Sequence, residues 1–187
     1  YRSGEHERAQ QLLDRLADRF GTSREDMLGD PEYDLPLDVF VTNLIKDELA
    51  FQPHLAPSEA VASMRYAFRV GVGQNREEVY KQAVIFVKQL ITIFKENEYY
   101  GFTNKFGMGR MSELMKDFPT LQEGAFLQLM VDQSLRMQER VTIWAQVDKT
   151  VTEVDPVNGP LLRAMAYDRI KPILEQQLAG HELGQRF

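Results

Sequence analysis

The sequence predicts an all-α fold, and two features carry that prediction. Segments whose apolar residues recur at helical spacing are separated by prolines and glycines roughly every 15–25 residues, which is typical of helices joined by turns. The one fragment with strand-like composition, residues 150–154, is too short to build a sheet. We therefore expect a single helical domain over residues 1–187, an orthogonal or up-down bundle of six to eight helices around a central helix at 75–99, with the acidic segment 1–35 as its periphery.

The central helix, residues 75–99, contains no proline or glycine, and Asn75 with Glu78 resembles a capping box at its start. At about 100° per residue its apolar side chains cover roughly half of the circumference. These are Val79, Tyr80, Ala83, Val84, Phe86, Val87, Leu90, Ile91, Ile93 and Phe94. The other side holds Lys81, Lys88 and Lys95 with Gln82, Gln89 and Thr92. One partner helix cannot cover so wide an apolar arc, so we expect several helices to pack around this one.

Four helices are expected before the central one, at 5–20, 22–29, 37–51 and 58–70. The short second helix follows from a capping-box pattern at 22–25. Gly21 ends the first helix, Pro53 ends the third, and Pro57 opens the fourth at a position where proline is favoured. The connector before the third helix carries four acids, Asp30, Glu32, Asp34 and Asp38, at the spacing of calcium-loop ligands. The sixth and twelfth positions of such a loop would be Leu35 and Val41 instead of Gly and Glu, so a solvated acidic turn is the preferred interpretation.

Three further helices are expected after the central one. A short helix at 110–118 stops at Pro119, a long one runs over 121–147 after Thr120, and the last covers 161–178 with a kink near Pro172. Side chains three and four residues apart form a stripe along the long helix, typical of a seam against another helix. The stripe consists of Leu127, Met130, Ser134, Met137, Val141 and Trp144.

Composition indicates a soluble globular protein. The chain is 43% hydrophobic and 27% charged, and no apolar run approaches the ~20 residues that a membrane span requires. It has no Cys, which excludes disulfides and thiolate chemistry. The cytoplasm is the default compartment.

Charge is distributed unevenly along the chain. The net charge is −6, and residues 1–38 carry ten acids against five bases, whereas the stretch 65–116 has a local excess of bases. Nucleic-acid-binding domains are usually basic, so the overall balance argues against that class. The basic strip at 65–116 could meet an acidic protein or the acidic end of a second copy, although a plain solvated face would look the same.

No pattern in the sequence points to a catalytic, cofactor or metal site. His6, His54 and His181 lack the second ligand four residues away that a helical zinc site needs. Gly71 and Gly73 precede a helix but lack the strand and the third glycine of a dinucleotide fingerprint. We therefore assign no catalytic residue, no cofactor and no metal.

Candidate partner contacts combine exposed cations with aromatic or flexible apolar side chains. The loop 101–110 is rich in glycine and carries two aromatic rings and two cations, and loops carry function disproportionately. The central helix supplies lysines, and the predicted seam supplies the tryptophan and adaptable methionines. The residues expected to contact a partner are Lys81, Lys88, Phe106, Met108, Arg110 and Trp144.

These observations predict a non-enzymatic helical protein–protein interaction module, namely an adaptor, an assembly subunit or one domain of a larger protein. Its expected partner is another protein or a second copy of itself. One alternative is a helical enzyme or small-ligand binder with a pocket beside helix 75–99, closed by the loop 101–109. A third possibility is nucleic-acid binding through the strip 65–116, which would show steep salt dependence.

Overall fold

The computed structural model confirms the all-α fold. It describes residues 1, 5–22, 29–51, 55–97, 115–154, 156 and 159–178, and within these ranges every regular element is a helix. The α-helices are α1 (His6–Phe20), α2 (Leu37–Phe51), α3 (Leu55–Tyr66), α4 (Glu77–Asn97), α5 (Phe118–Val131), α6 (Met137–Val154) and α7 (Gly159–Leu178). A 3-10 turn at Pro31–Asp34 precedes α2, and a π-helical turn at Ala67–Val72 continues α3. That residues 1–187 form one domain stays a prediction.

Helix α4 is the centre of the packing, as the width of its apolar arc predicts. All ten side chains assigned to that arc are buried, none of them more than 7% exposed. They pack against α2, α3, the π-helical turn, α5 and α6. Burying a large apolar side chain contributes about 1.5–3 kcal/mol, so this one helix supplies much of the apolar burial of the described fold.

The predicted N-cap of the central helix is wrong. Asn75 lies in the left-handed region, with φ of 54°, and α4 begins two residues later at Glu77. Asparagine tolerates this conformation better than most residues, so Asn75 can turn the chain between α3 and α4. The first backbone hydrogen bond runs from the Val79 N–H to the Arg76 carbonyl, at 2.9 Å.

The π-helical turn at the end of α3 has no signal in the sequence, where an ordinary helix to residue 70 was expected. The Gly73 N–H donates to the Phe68 carbonyl five residues back, at 3.0 Å. Gly71 lies so close to α4 that a Cβ there would come within 2.7 Å of the Tyr80 Cβ. The widened turn therefore ends α3 directly against α4, where only glycine fits.

The predicted long helix over 121–147 is wrong, because the chain breaks into α5 and α6 between Asp132 and Arg136. The Asp132 carboxylate accepts from the Ser134 N–H at 2.9 Å and from the Ser134 hydroxyl at 2.7 Å. Asp and Ser side chains compete with helical hydrogen bonding in this way. The expected continuous seam from Leu127 to Trp144 is consequently divided between two helices.

The start of α5 also differs from the prediction. Asp117 is the N-cap and accepts from the Thr120 N–H at 3.0 Å, so Phe118 begins α5 and Pro119 lies in its first turn. Proline is favoured there because its missing N–H has no intrahelical partner in any case. Most of each of the predicted helices at 22–29 and 110–118 falls outside the described residues. At the other end of the chain, Pro172 lies inside α7 without ending it.

Helix α1 packs on the outside of the 3-10 turn and α2. Leu13 is its only buried side chain. Its C-terminal end is held by Thr22, whose N–H and hydroxyl both donate to the Asp34 carboxylate, at 2.7 and 2.6 Å. Among the described residues, no helix has both the length and the apolar character needed to cross a membrane.

Candidate functional site

The structure describes three of the six residues that are predicted to contact a partner. Lys81 and Lys88 lie on the exposed face of α4, and Trp144 is half-buried on α6. The other three, Phe106, Met108 and Arg110, lie outside the described residues.

The two lysines and the tryptophan belong to different surfaces. The Lys88 ammonium lies 4.7 Å from the centroid of the Phe118 ring, at the start of α5. The Trp144 ring instead stacks on Phe126, eight residues further along α5, with centroids 5.8 Å apart and planes inclined by 18°. Eight helical residues correspond to about 12 Å, so each group has its own surroundings.

Trp144 lines an open cleft between α6 and α7, which we call the aromatic cleft. Its lining consists of Trp144, Asp148, Arg163, Ala164 and Tyr167, and its volume is about 430 Å³. Each helix contributes residues one turn apart, so the side chains face each other across the groove. The Tyr167 ring lies 6.4 Å from the Trp144 ring between centroids. Ala164 is too small to fill the space between them.

An ion pair closes one end of the aromatic cleft. Arg163 Nη2 lies 2.9 Å from Asp148 Oδ2, and the Arg163 guanidinium carbon is 5.9 Å from the centroid of the Trp144 ring. The second oxygen, Asp148 Oδ1, is buried and has no hydrogen-bond donor among the described residues. Because this atom is shielded from solvent, the missing hydrogen bond is an internal cost of the fold and is not a contact that the cleft presents.

A second ion pair lies at the outer edge of the aromatic cleft. The Lys171 ammonium lies 5.5 Å from the centroid of the Tyr167 ring and 3.9 Å from Glu175 Oε1. Tyr167 itself is 41% exposed. The cleft therefore offers two aromatic faces and part of the Arg163 guanidinium to whatever enters it.

Three cleft residues, Asp148, Arg163 and Tyr167, were not predicted from the sequence. Arg163, Tyr167 and Lys171 recur every four residues on α7, and this spacing could have indicated a shared face. Nothing in the sequence, however, shows that this face lies opposite Trp144.

A second concavity, of about 530 Å³, lies where the first turns of α1 and α4 meet. Charged and polar side chains dominate its lining, and Arg76 Nη1 on one side lies 3.7 Å from Glu5 Oε1 on the other. This concavity lies beside the central helix, where one alternative prediction places a ligand pocket. The loop 101–109, expected to close such a pocket, lies outside the described residues.

The basic strip at 65–116 does not form one uniformly cationic face in its described part. Arg65 pairs with Asp132, and Arg69 Nη2 lies 3.8 Å from Glu139 Oε1. Arg76 Nη1 lies 3.7 Å from Glu5 Oε1. Each of these three arginines therefore has a carboxylate from another part of the chain within 4 Å. Pairing of this kind reduces the positive potential that a phosphate backbone would meet.

The α5–α6 turn is held by a charged network around Asp132. Hydrogen bonds from Ser134, followed by the charge of Arg65, lower the pKa of Asp132. The neighbouring Arg140 is buried and donates to the Asp132 carbonyl at 2.5 Å. Burial lowers the pKa of Arg140, and the charge of Asp132 opposes that effect. This network orients the start of α6 and hence Trp144.

Within the described ranges, no group of three or more His, Asp or Glu side chains is arranged to hold a metal ion.

Comparison with known proteins gives no relative for this chain. No family model matches the sequence, and neither a curated protein nor a solved structure shows significant similarity to it.

Proposed function

We propose that this protein is a non-enzymatic helical interaction module, acting as an adaptor, an assembly subunit or a domain of a larger protein, and that a partner protein binds in the aromatic cleft. One observation carries the proposal: half-buried Trp144 lines an open cleft whose other walls are Tyr167 and Arg163. Trp, Tyr and Arg are the residue types that dominate the binding energy of protein interfaces. A cytoplasmic location is part of the proposal.

The chemistry of the aromatic cleft favours a peptide segment over a small polar ligand. An apolar side chain placed over Ala164 would bury surface against both aromatic rings. The Arg163 side chain is 40% exposed and could donate to a backbone carbonyl next to that apolar side chain. A polypeptide supplies both groups at adjacent positions.

The other two functions rest on weaker support. A ligand pocket beside α4 depends on the loop 101–109, and the concavity found there is lined mainly by charged side chains. Nucleic-acid binding requires free cations, whereas three arginines of the strip lie close to carboxylates. An affinity for nucleic acid that falls steeply as the salt concentration rises would support the alternative of nucleic-acid binding.

Trp144 allows a direct test, because it is the only tryptophan in the chain. Peptides selected from a random displayed library would be synthesised and titrated while the Trp144 fluorescence is followed. We expect binding to shift the emission and Tyr167→Ser to weaken the affinity at least about tenfold, a loss of roughly 1.4 kcal/mol.

Ile173 provides a matched control on the same helix. It is 41% exposed, like Tyr167, but does not line the cleft. Ile173→Ser should therefore leave the affinity unchanged within about twofold. Peptides that bind without altering the Trp144 emission, or that bind Tyr167→Ser as tightly as the wild type, would contradict the proposal.

A further inference from the structure

The exposed face of α4 carries three lysines in a line. Lys81, Lys88 and Lys95 are seven residues apart, which spaces them by about 10.5 Å in nearly one line. From residue 79 to 95 the helix contains these three lysines and no acid. Ile85 lies between the first two lysines and is 41% exposed. We call the surface formed by Lys81, Ile85, Lys88 and Lys95 the lysine stripe.

A second surface has the opposite charge and an apolar centre of its own. The rings of Phe20, Tyr33 and Phe40 follow one another with 5.9 Å between successive centroids. Leu44 lies one turn beyond Phe40 on α2 and is 50% exposed, and Phe20 is 46% exposed. This line of side chains, Phe20, Tyr33, Phe40 and Leu44, is called the aromatic ridge.

A cluster of acids lies in the segment that contributes Tyr33 to the aromatic ridge. Between residues 29 and 38 the chain carries Asp30, Glu32, Asp34 and Asp38 and no base, and all four side chains are exposed. Among the described residues, none of these four carboxylates forms an ion pair. Asp30 and Asp34 instead accept hydrogen bonds from backbone N–H groups of Glu32 and Thr22, which fixes the acidic turn in place.

We propose that the lysine stripe of one molecule binds the acidic aromatic ridge of a second copy of this chain. Both surfaces expose apolar side chains, and the lysines beside one and the acids beside the other are opposite in charge. Such complementarity favours encounter of the two surfaces and disfavours pairing of either surface with itself. This contact does not involve the aromatic cleft and does not depend on the function proposed for it.

The geometry of the contact determines its stoichiometry. Two different surfaces join, so every molecule that uses its stripe still offers its ridge. A head-to-tail contact of this kind produces rings or open chains instead of a symmetric dimer.

The test combines analytical ultracentrifugation with two variants, each of which lacks one of the two surfaces. Lys81→Gln with Ile85→Gln removes the stripe, and Glu32→Gln with Leu44→Gln removes the ridge; all four side chains are exposed, so both variants should fold. We expect the mass of the wild type to rise with concentration at low salt and to fall back at high salt. Each variant alone should stay monomeric, and their mixture should form a 1:1 dimer of twice the 21.6 kDa mass of one chain.

A matched control removes one cation and one exposed aliphatic side chain elsewhere. Lys149→Gln with Ile173→Gln changes two exposed positions on α6 and α7 and should associate as the wild type does. A wild type that stays monomeric at every concentration would overturn the proposal. Association of either variant by itself, or a mixture that forms no dimer, would do the same. Circular dichroism of each variant shows that the helices are retained.

Discussion

Helices α1 and α4 are both amphipathic, yet they contribute to the structure in opposite ways. Helix α4 buries ten apolar side chains against five neighbouring elements. Helix α1 buries Leu13 alone and leaves Leu12 and Phe20 about half exposed. An apolar stripe therefore predicts which face of a helix turns inward, but the amount buried depends on what the rest of the chain places against it.

Because α1 and α4 bury different amounts of apolar surface, they have different roles in the molecule. A helix surrounded by neighbours cannot move or be remodelled without opening the core, whereas a helix held at few points retains apolar surface for other contacts. The aromatic ridge begins at the end of α1 for this reason. Four changes test this comparison.

The largest effect is expected at the centre of α4. Phe94 is fully buried, so Phe94→Ala should lower the free energy of unfolding by about 3–5 kcal/mol, because it removes a large apolar group and leaves a cavity. Urea denaturation followed by circular dichroism measures the loss. Ile85→Ala on the exposed face of the same helix is the control and should change stability by less than about 1 kcal/mol. Equal losses at the two positions would contradict the central role of α4.

A smaller and local effect is expected in α1. Leu13→Ala should destabilise α1 by about 2 kcal/mol, at the low end for buried leucine because few neighbours surround it. Hydrogen exchange measured by mass spectrometry should then be roughly thirtyfold faster in α1 and unchanged in α4. If α4 exchanged faster by the same factor, the two helices would unfold together and the comparison would fail.

A polar contact of α4 gives the third test. Gln122 Nε2 donates to the Tyr80 hydroxyl at 2.6 Å, and both side chains are buried. Tyr80→Phe removes this acceptor and should cost about 1–3 kcal/mol, since the Gln122 amide stays buried without it. Adding Gln122→Leu to Tyr80→Phe should recover part of the loss in thermal denaturation. No recovery would show that the hydrogen bond is not what stabilises this contact.

The smallest effect concerns pH and should appear only at the end of α1. Hydrogen bonds from the hydroxyl and the N–H of Thr22 lower the pKa of Asp34 below its ordinary value of 3.8. A lowered pKa means that the contact is fully present above that ordinary value and is lost as pH falls through the folded-state pKa. The Thr22 amide resonance should therefore be constant from pH 7 to about 4.5 and shift below that.

Asp34→Asn is the control for this titration, because the amide keeps an acceptor oxygen without an ionisable proton. The Thr22 resonance should lose its acid shift in this variant, whereas amides in the middle of α4 should be unaffected in both proteins. A midpoint at or above the ordinary value of 3.8 would contradict the lowered pKa.

The same contrast explains which parts of the fold can be predicted from sequence. The ten inward positions of α4 follow from periodicity, because a wide arc of large apolar side chains has no other stable location. Asn75, the π-helical turn and the break at Asp132 do not follow from periodicity. The π-helical turn depends on a tertiary contact, the close approach of Gly71 to Tyr80. The break at Asp132 depends on side-chain hydrogen bonds that compete with helical ones, from Ser134 to the Asp132 carboxylate and from Arg140 to the Asp132 carbonyl.

The residues of the candidate site also fall into those that periodicity can place and those that only helix packing brings together. Periodicity places Lys81 and Lys88 on an outward face. It cannot show that Trp144 meets Arg163 and Tyr167, because those residues approach each other only through the packing of α6 on α7.

The turn at Asp132 has a consequence for the distance between two rings. In an uninterrupted helix, Phe126 and Trp144 would be eighteen residues apart, or about 27 Å along the axis. The chain reversal brings their ring centroids to within 5.8 Å of each other, so the Trp144 indole stacks on the Phe126 ring. Substitutions that straightened this corner would remove the aromatic cleft without altering any residue that lines it.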